Sequence, residues 1–268
     1  MRICCWNVRR ASVRSRVWEL FDEISPDLAL LQEVGGVPIF ITAKYQLVMR
    51  QASGNRFHTA ILTRGSIGQP IQISSRWDWV NREIELFHGN LIAHSISVLG
   101  HEYRVLSVYS PAWPVDAERL RGVDVEPVKL KLNPKVWVTE LLWAALLDRD
   151  TADAAPWVVG GDFNASETFD TMWRGGPRGN REILDRMSDL GFVECLRQSQ
   201  GKLVPTFRNP RDGKVIHQMD HLFVSGSLAT KLTCCATGEH ARVFDAKPSL
   251  SDHLPIVADF SERGTGAA

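Results

Sequence analysis

Five times along this chain an apolar run begins or ends on a carboxylate, a carboxamide or a histidine. The stretches are "WNV" (Asn7), "LLQEV" (Glu33), "GGDFN" (Asp162 and Asn164), "QMDHLFVS" (Asp220) and "SLSDHLPIV" (Asp252 and His253). Runs as continuously apolar as "LALL" need cover on both faces, which strands inside an α/β sheet receive. The polar residues mark where each strand leaves the core. Turn chemistry alone accounts for any one of them, because Gly, Asp and Asn close loops. It does not explain why all five carry groups fit for metal binding or proton transfer.

The order of elements brings some of these groups together. Residues Arg2 to Val8 read as a strand, and Val13, Val17, Leu20, Phe21 and Ile24 fall on one helical face. Pro26 and Asp27 end that helix, and "LALLQEV" (Leu28 to Val34) reads as a buried strand. A strand–helix–strand crossover makes the two strands parallel, so Asn7 and Glu33 emerge at one sheet edge, where open α/β sheets bind ligands. Further strands are expected at Tyr45, at His58, from Gly89, and up to Tyr109, the last two as a hairpin. A connection (113–133) and a helix (136–147) lead to the strand "APWVVGGDFN"; after a loop at Gly175–Asn180, a helix is expected over Arg181–Leu190. "KVIHQMDHLFVS", "LTCCATGEHARVF" and "LPIVADF" read as closing strands. Because motif pieces come from both ends, one domain over residues 1–262 is expected, with a disordered tail at 263–268.

Composition removes several classes. Lys+Arg and Asp+Glu are both 31, so no global basic field draws nucleic acid, although a local patch suffices. The five cysteines are odd in number and include two adjacent pairs, which excludes a disulfide framework and a C-x-x-C zinc site. Reduced thiols in a cytoplasmic protein are the expectation. No run approaches the roughly 18 apolar residues of a membrane span, and "MRICCWNV" lacks the apolar region of a signal peptide.

Acids gathered at strand ends repel unless something positive sits among them. Oxygen-rich clusters of carboxylates and carboxamides suit Mg²⁺ or Mn²⁺, and a His beside an Asp adds a group that handles protons or developing charge. "GDFN" with a downstream "SDHLP", preceded by "QE" at the second strand, resembles the endonuclease/exonuclease/phosphatase superfamily from Arg2 to Phe260. The resemblance implies an α/β (α+β) four-layer sandwich, two packed mixed β-sheets flanked by helices. It also implies a phosphoesterase site dependent on Mg²⁺ or Mn²⁺, in a monomer acting on a phosphodiester substrate. Nucleic acid is the first expectation, and a small, nucleotide or lipid phosphate ester the alternative. By the same resemblance Glu33, Asn7 and Asp252 serve the metal, Asp162 orients or deprotonates the attacking water, and Asn164 assists at the phosphate. His253 is the catalytic histidine, Asp220 its hydrogen-bond partner, and Tyr109 touches the phosphate. The chain departs from the apurinic branch at Arg9, which replaces an acid, at "QEVGG", which lacks a lysine, and at Gln218, which replaces an arginine. Arg9 is therefore expected to face substrate phosphate, and Trp113 to stack on a base or sugar at the rim.

Other conspicuous residues read as structural. Trp6, Trp18, Trp137, Trp143 and Trp157 lie in apolar-periodic segments. Ser251-Asp252-His253 is not a serine triad, since strand neighbours face opposite ways and no G-x-S-x-G elbow exists. His221 follows Asp220 onto the opposite strand face. "SRWDWVNRE" (Ser75 to Glu83) fits either a nucleic-acid surface or an exposed strand edge. Arg119 and Arg121 fit either flanking phosphates or a solvated helix end. Asp162 and Asn164, if extended, share a strand face, and the glycines before them leave room for a phosphate.

Overall fold

The computed structural model describes residues 1–150, 155–172 and 178–261. In chain order its strands are β1 (Arg2–Ala11), β2 (Leu28–Val34), β3 (Gln46–Gln51), β4 (His58–Thr63), β5 (Ser66–Pro70), β6 (Leu91–Val98) and β7 (His101–Tyr109). There follow β8 (Trp157–Asp162), β9 (Phe192–Glu194), β10 (Phe207–Arg208), β11 (Val215–His217), β12 (Asp220–Ser225), β13 (Leu232–Thr237) and β14 (Ile256–Phe260). They form two six-stranded mixed sheets, β13-β14-β1-β2-β4-β3 and β5-β6-β7-β8-β12-β9, and a ribbon of β10 and β11. The parallel pairs are β1–β2 and β7–β8, as the strand–helix–strand reading of the N-terminus requires.

Period-two alternation explains the layering. Ile3 and Cys5 of β1 and Leu28 and Leu30 of β2 face the second sheet, where they meet Val105, Val158, Leu222 and Val224. The intervening Cys4, Trp6, Ala29 and Leu31 face outward onto Val17, Trp18, Leu20 and Phe21 of the helix Val17–Ile24. On the far side, Leu106, Val108, Val159 and Phe223 pack against Val80, Ile84, Leu141, Leu142 and Ile183. The result is helix, sheet, sheet, helices: the expected four-layer sandwich. Strands covered on both faces read as unbroken apolar runs, which is why β2 and β8 were visible in the sequence. All five cysteines are free, and only Cys234 is exposed.

Several local readings change. "SRWDWVNRE" is not a strand edge: Asp78–Leu86 is a helix that buries Trp79, Val80, Glu83 and Ile84. Arg119 is not free for phosphate, because its guanidinium holds the Glu83 carboxylate through contacts of 2.9 to 3.1 Å. Arg121 pairs with Glu118. Val13 lies ahead of the first helix and is exposed. "KVIHQMDHLFVS" splits into β11 and β12 at Gln218–Met219, and "GEHARVF" turns into the short helix His240–Val243. Residues 175–177 of the expected loop and the expected tail lie outside the described residues.

Candidate active site

The inner faces of the two sheets meet at one end, and the alternation that builds the core also delivers the polar groups there. Ile3 and Cys5 point inward, and Asn7 continues the same stripe. On the second sheet Tyr109, Asp162 and Asp220 lie side by side in register across β7, β8 and β12. They share the inner face with Val105, Val158 and Leu222. Asn7 bridges the sheets: its Nδ2 donates to Asp162 Oδ2 at 2.9 Å and reaches Glu33 Oε1 at 3.4 Å. Asn7, Asp162 and Asp220 are each at most 1% exposed.

Glu33 reaches this cluster against the alternation. Its neighbour Gln32 occupies the inner stripe, donating to Ser107 Oγ at 3.1 Å, so a regular strand would turn Glu33 outward. The β1–β2 register slips between Asn7 and Ala11, and Arg9, Arg10 and Glu33 adopt left-handed φ values of 47°, 58° and 55°. Such conformations cost non-glycine residues about 1 kcal/mol or more each and gather at functional sites; bulges re-aim side chains. The slip leaves Glu33 between Asn7 and Arg10, whose Nε lies 3.8 Å from Glu33 Oε2. Arg9 turns to Asp252 at 3.6 Å and to Ser249 Oγ at 3.3 Å.

Asp162 and Asn164 do converge, but not as strand neighbours. β8 ends at Asp162, and Asn164 takes a left-handed φ of 47°. Its backbone N–H donates to Asp162 Oδ1 at 2.9 Å, and its Nδ2 donates to Asp162 Oδ2 at 3.1 Å and to the Ser110 carbonyl at 2.7 Å. This is an Asx-type turn. The preceding glycines do not make room for a phosphate. A Cβ on Gly161 would stand 1.8 Å from the Val108 carbonyl oxygen, so glycine there permits close approach of β7.

His253 is fixed from four sides. Its carbonyl accepts from Trp6 Nε1 at 2.8 Å, its N–H donates to Ser251 Oγ at 3.1 Å, and its ring lies 4.8 Å from that of Phe207. Nδ1 lies 2.8 Å from Asp220 Oδ2, and Nε2 lies 4.0 Å from Asp162 Oδ2. Burial would drive the proton off this imidazole, but Asp220 and Asp162 outweigh it and push the pKa up to about 10. Burial raises the Asp162 carboxyl, and His253 only partly offsets this; the group sits at about 7. Burial likewise raises Glu33 against the opposing Asn7 hydrogen bond. The Tyr109 phenol is raised by burial and by Asp162 and Glu33, so it remains a hydrogen-bond donor.

The structure thus gathers Asn7, Glu33, Tyr109, Asp162, Asn164, Asp220 and His253, with Asp252 and Arg9 at the rim. Trp113 is 49% exposed and stands outside the hydrogen-bonded cluster. Arg10 and Phe207 were missed in the sequence; the adjacent "RR" after Asn7 was the one visible signal for the former. As a cation site the donors fit a hard ion. Glu33 is a desolvated carboxylate that Asn7 Nδ2 reaches only through a long 3.4 Å hydrogen bond, and Asp252 is near enough to raise its pKa further. Asp162, Asp220 and His253 also bring ligand atoms within 4.8 Å of one another. There, however, the imidazolium already supplies the positive charge between the two acids.

A family model described as the endonuclease/exonuclease/phosphatase family matches residues 4–253. Among solved structures the chain resembles an AP endonuclease from Archaeoglobus fulgidus, with TM-score 0.69, 20% identity and coverage of 97% of this chain and 99% of that one. It also resembles a 3′ phosphatase from Neisseria bound to a product DNA hairpin, with TM-score 0.67, 20% identity and coverage of 97% and 99%. The endonuclease domain of TRAS1, a telomere-specific non-LTR retrotransposon, matches with TM-score 0.56, 16% identity and coverage of 98% and 99%. No match is found among curated proteins.

Proposed function

The chain belongs to the endonuclease/exonuclease/phosphatase family, and on that premise we propose that it is a divalent-metal-dependent nuclease hydrolysing phosphodiester bonds in nucleic acid. One observation carries the reading: the buried Asp162 carboxylate, which desolvation raises toward neutrality, lies 4.0 Å from an imidazole whose other nitrogen Asp220 holds at 2.8 Å. A carboxylate near neutrality is suited to accept a proton at the operating pH. Asn7 and Asn164 aim it through three hydrogen bonds.

In the proposed reaction Asp162 aligns a water in line with the leaving oxygen and takes its proton. The water oxygen bonds to phosphorus, and the bond from phosphorus to the leaving oxygen breaks, that oxygen keeping the electron pair and taking a proton from solvent. His253, protonated, directs Nε2–H at a phosphate oxygen and stabilises the charge that builds in the transition state. Tyr109 offers a second donor, and Arg9 and Arg10 stand at the rim as cations for the substrate. Mg²⁺ or Mn²⁺, held by Glu33 with Asn7 and Asp252, would neutralise phosphate charge and ease departure of the leaving oxygen. Free thiols fit a cytoplasmic protein, and the chain is read as a single-domain monomer. No helix among the described residues is long and apolar enough to cross a membrane.

The test is a panel of plasmid DNA, single-stranded DNA, RNA and bis(4-nitrophenyl) phosphate with Mg²⁺ or Mn²⁺. Cleavage of a polynucleotide supports the reading. Hydrolysis of the small ester alone would move the assignment to a small-molecule phosphodiesterase, and silence throughout would overturn both.

A further inference from the structure

A small cavity of about 30 Å³ adjoins the site on the second-sheet side, lined among others by Ser110, Asn133, Trp137, Thr139, Asn164 and Asn180. Its apolar wall comes from Leu130, Phe163 and Ile183. Only Asn164 and Trp137 of its lining are partly exposed, so the mouth lies between an active-site residue and an indole. Two polar atoms of the lining, Ser110 Oγ and Trp137 Nε1, are shielded from solvent and have no hydrogen-bond partner among the described residues. Ser110 itself is 1% exposed. The other polar groups are committed: Thr139 donates to Glu140, Asn133 Oδ1 accepts from Lys135 N–H, and Asn180 bonds Asp170 and Ser166.

Unpaired buried donors forfeit their hydrogen bonds to water without replacing them, and such groups call for an explanation. A cavity of this size takes one or two waters, or one small group of a ligand; a nucleobase ring is too large. The indole offers a donor, and the Ser110 hydroxyl donates or accepts. Water meets those demands, and so does a ligand hydroxyl, which accepts from one and exchanges with the other in one water's space. The mouth is one side chain away from the Asp162 carboxylate, since Asn164 Nδ2 contacts both Asp162 and the Ser110 carbonyl. In a polynucleotide the hydroxyl-bearing group that flanks the scissile phosphate is the sugar.

We propose that this cavity is a subsite for the 2′-hydroxyl of a ribonucleotide flanking the scissile bond, which makes RNA the preferred polymer. The inference rests on the phosphodiesterase reading of the adjacent site. A 2′-hydroxyl, both donor and acceptor, is the group by which proteins separate RNA from DNA. A site built around a substrate hydroxyl discriminates strongly against the analogue lacking it, because its buried groups are then left unpaired.

The experiment measures kcat/KM for one oligodeoxynucleotide sequence carrying a single ribonucleotide, placed in turn on each side of the cleaved linkage, and for its all-deoxy counterpart. Bis(4-nitrophenyl) phosphate is the substrate with no sugar. Wild type should favour one of the two ribose positions by about a hundredfold or more. Ser110→Ala and Trp137→Phe should each lower that ribose-to-deoxyribose ratio by about tenfold or more, with thermal midpoints near wild type. A wild-type ratio near one, or a ratio that both variants leave unchanged, overturns the subsite while the phosphodiesterase reading stands. Absence of all hydrolysis, including that of the small ester, overturns the phosphodiesterase reading and the subsite with it.

Discussion

Asp162 and Asp220 stand directly opposite each other across the β8–β12 ladder, on the same face of the sheet and with almost no solvent access. Like charges opposed across a ladder are destabilising, and burial deepens the cost. His253 sits against both, at 2.8 Å from Asp220 and 4.0 Å from Asp162, and its proton offsets the repulsion. The three groups form one electrostatic unit in which removing one member changes the protonation of the others.

Coupling of this kind is measurable. His253→Ala should lower kcat by about 10²–10⁴-fold, and adding Asp220→Asn should cost little more, because the carboxylate then has no imidazole to hold. A double-mutant cycle on kcat reads the interaction directly. Two losses that multiply would show that Asp220 does not act through His253.

The pH profile follows from the same unit. Asp162 must be ionised to take a proton, and its pKa is raised to about 7, so kcat/KM should rise as pH climbs through that value. His253 must keep its proton, and its pKa is raised to about 10, so activity should fall as pH passes it. A bell with a plateau between the two is expected, and its limbs belong to the coupled unit rather than to single residues. Asp220→Asn removes a carboxylate that raises His253, so the alkaline limb should move downward. A limb that stays in place in that variant would refute the assignment.

The layered fold was readable because β1, β2, β4 and β8 each carry an apolar run covered on both faces. Asn7, Asp162 and Asp220 were readable because each continues an inner-face stripe at period two. Glu33 was assigned by resemblance; its placement could not be derived, because it depends on a register slip and a left-handed φ that no residue type there requires. The helix Asp78–Leu86 was misread because aromatic and charged residues interleave, although Trp79, Val80, Glu83 and Ile84 already lay at helical spacing. The Arg119–Glu83 pair spans 36 residues, a separation at which one sequence carries no pairing signal.

That pair yields a stability prediction. Glu83 is 4% exposed, and Arg119 contributes its guanidinium from the 113–135 connection. Arg119→Ala would leave a buried carboxylate unpaired and should destabilise the protein by about 1–3 kcal/mol, less than a wholly buried pair because the arginine is partly solvated. KM should stay unchanged. A higher KM with an unaltered thermal midpoint would restore the phosphate-contact reading of Arg119.

Gly161 makes a sharper demand. A methyl group there meets the Val108 backbone at 1.8 Å, where neither strand can withdraw without breaking the β7–β8 ladder that aligns Tyr109 with Asp162. Gly161→Ala should cost about 3 kcal/mol or more, read as a fall in the thermal midpoint by circular dichroism. Gly226→Ala is the control, since its Cβ would meet only the Gly191 carbonyl at 3.7 Å. Equal midpoints for the two variants would contradict the close packing of β8.

Glu33 separates the cost of the empty site from the benefit of a bound cation. Without metal, the buried Glu33 carboxylate is held above its ordinary pKa by desolvation, which Asn7, His253 and Arg10 offset only in part. A neutral amide of the same shape removes that cost, so Glu33→Gln should leave the metal-free protein as stable as wild type or more so. Mg²⁺ or Mn²⁺ should raise the thermal midpoint of wild type as binding to the folded state requires. The rise should shrink in the variant, whose metal affinity falls about tenfold or more once a charged hard ligand is lost. Activity should vanish in excess EDTA and return on adding either ion. Equal metal-induced shifts in wild type and Glu33→Gln would remove Glu33 from the cation site, and full turnover in EDTA would remove the cation from the reaction.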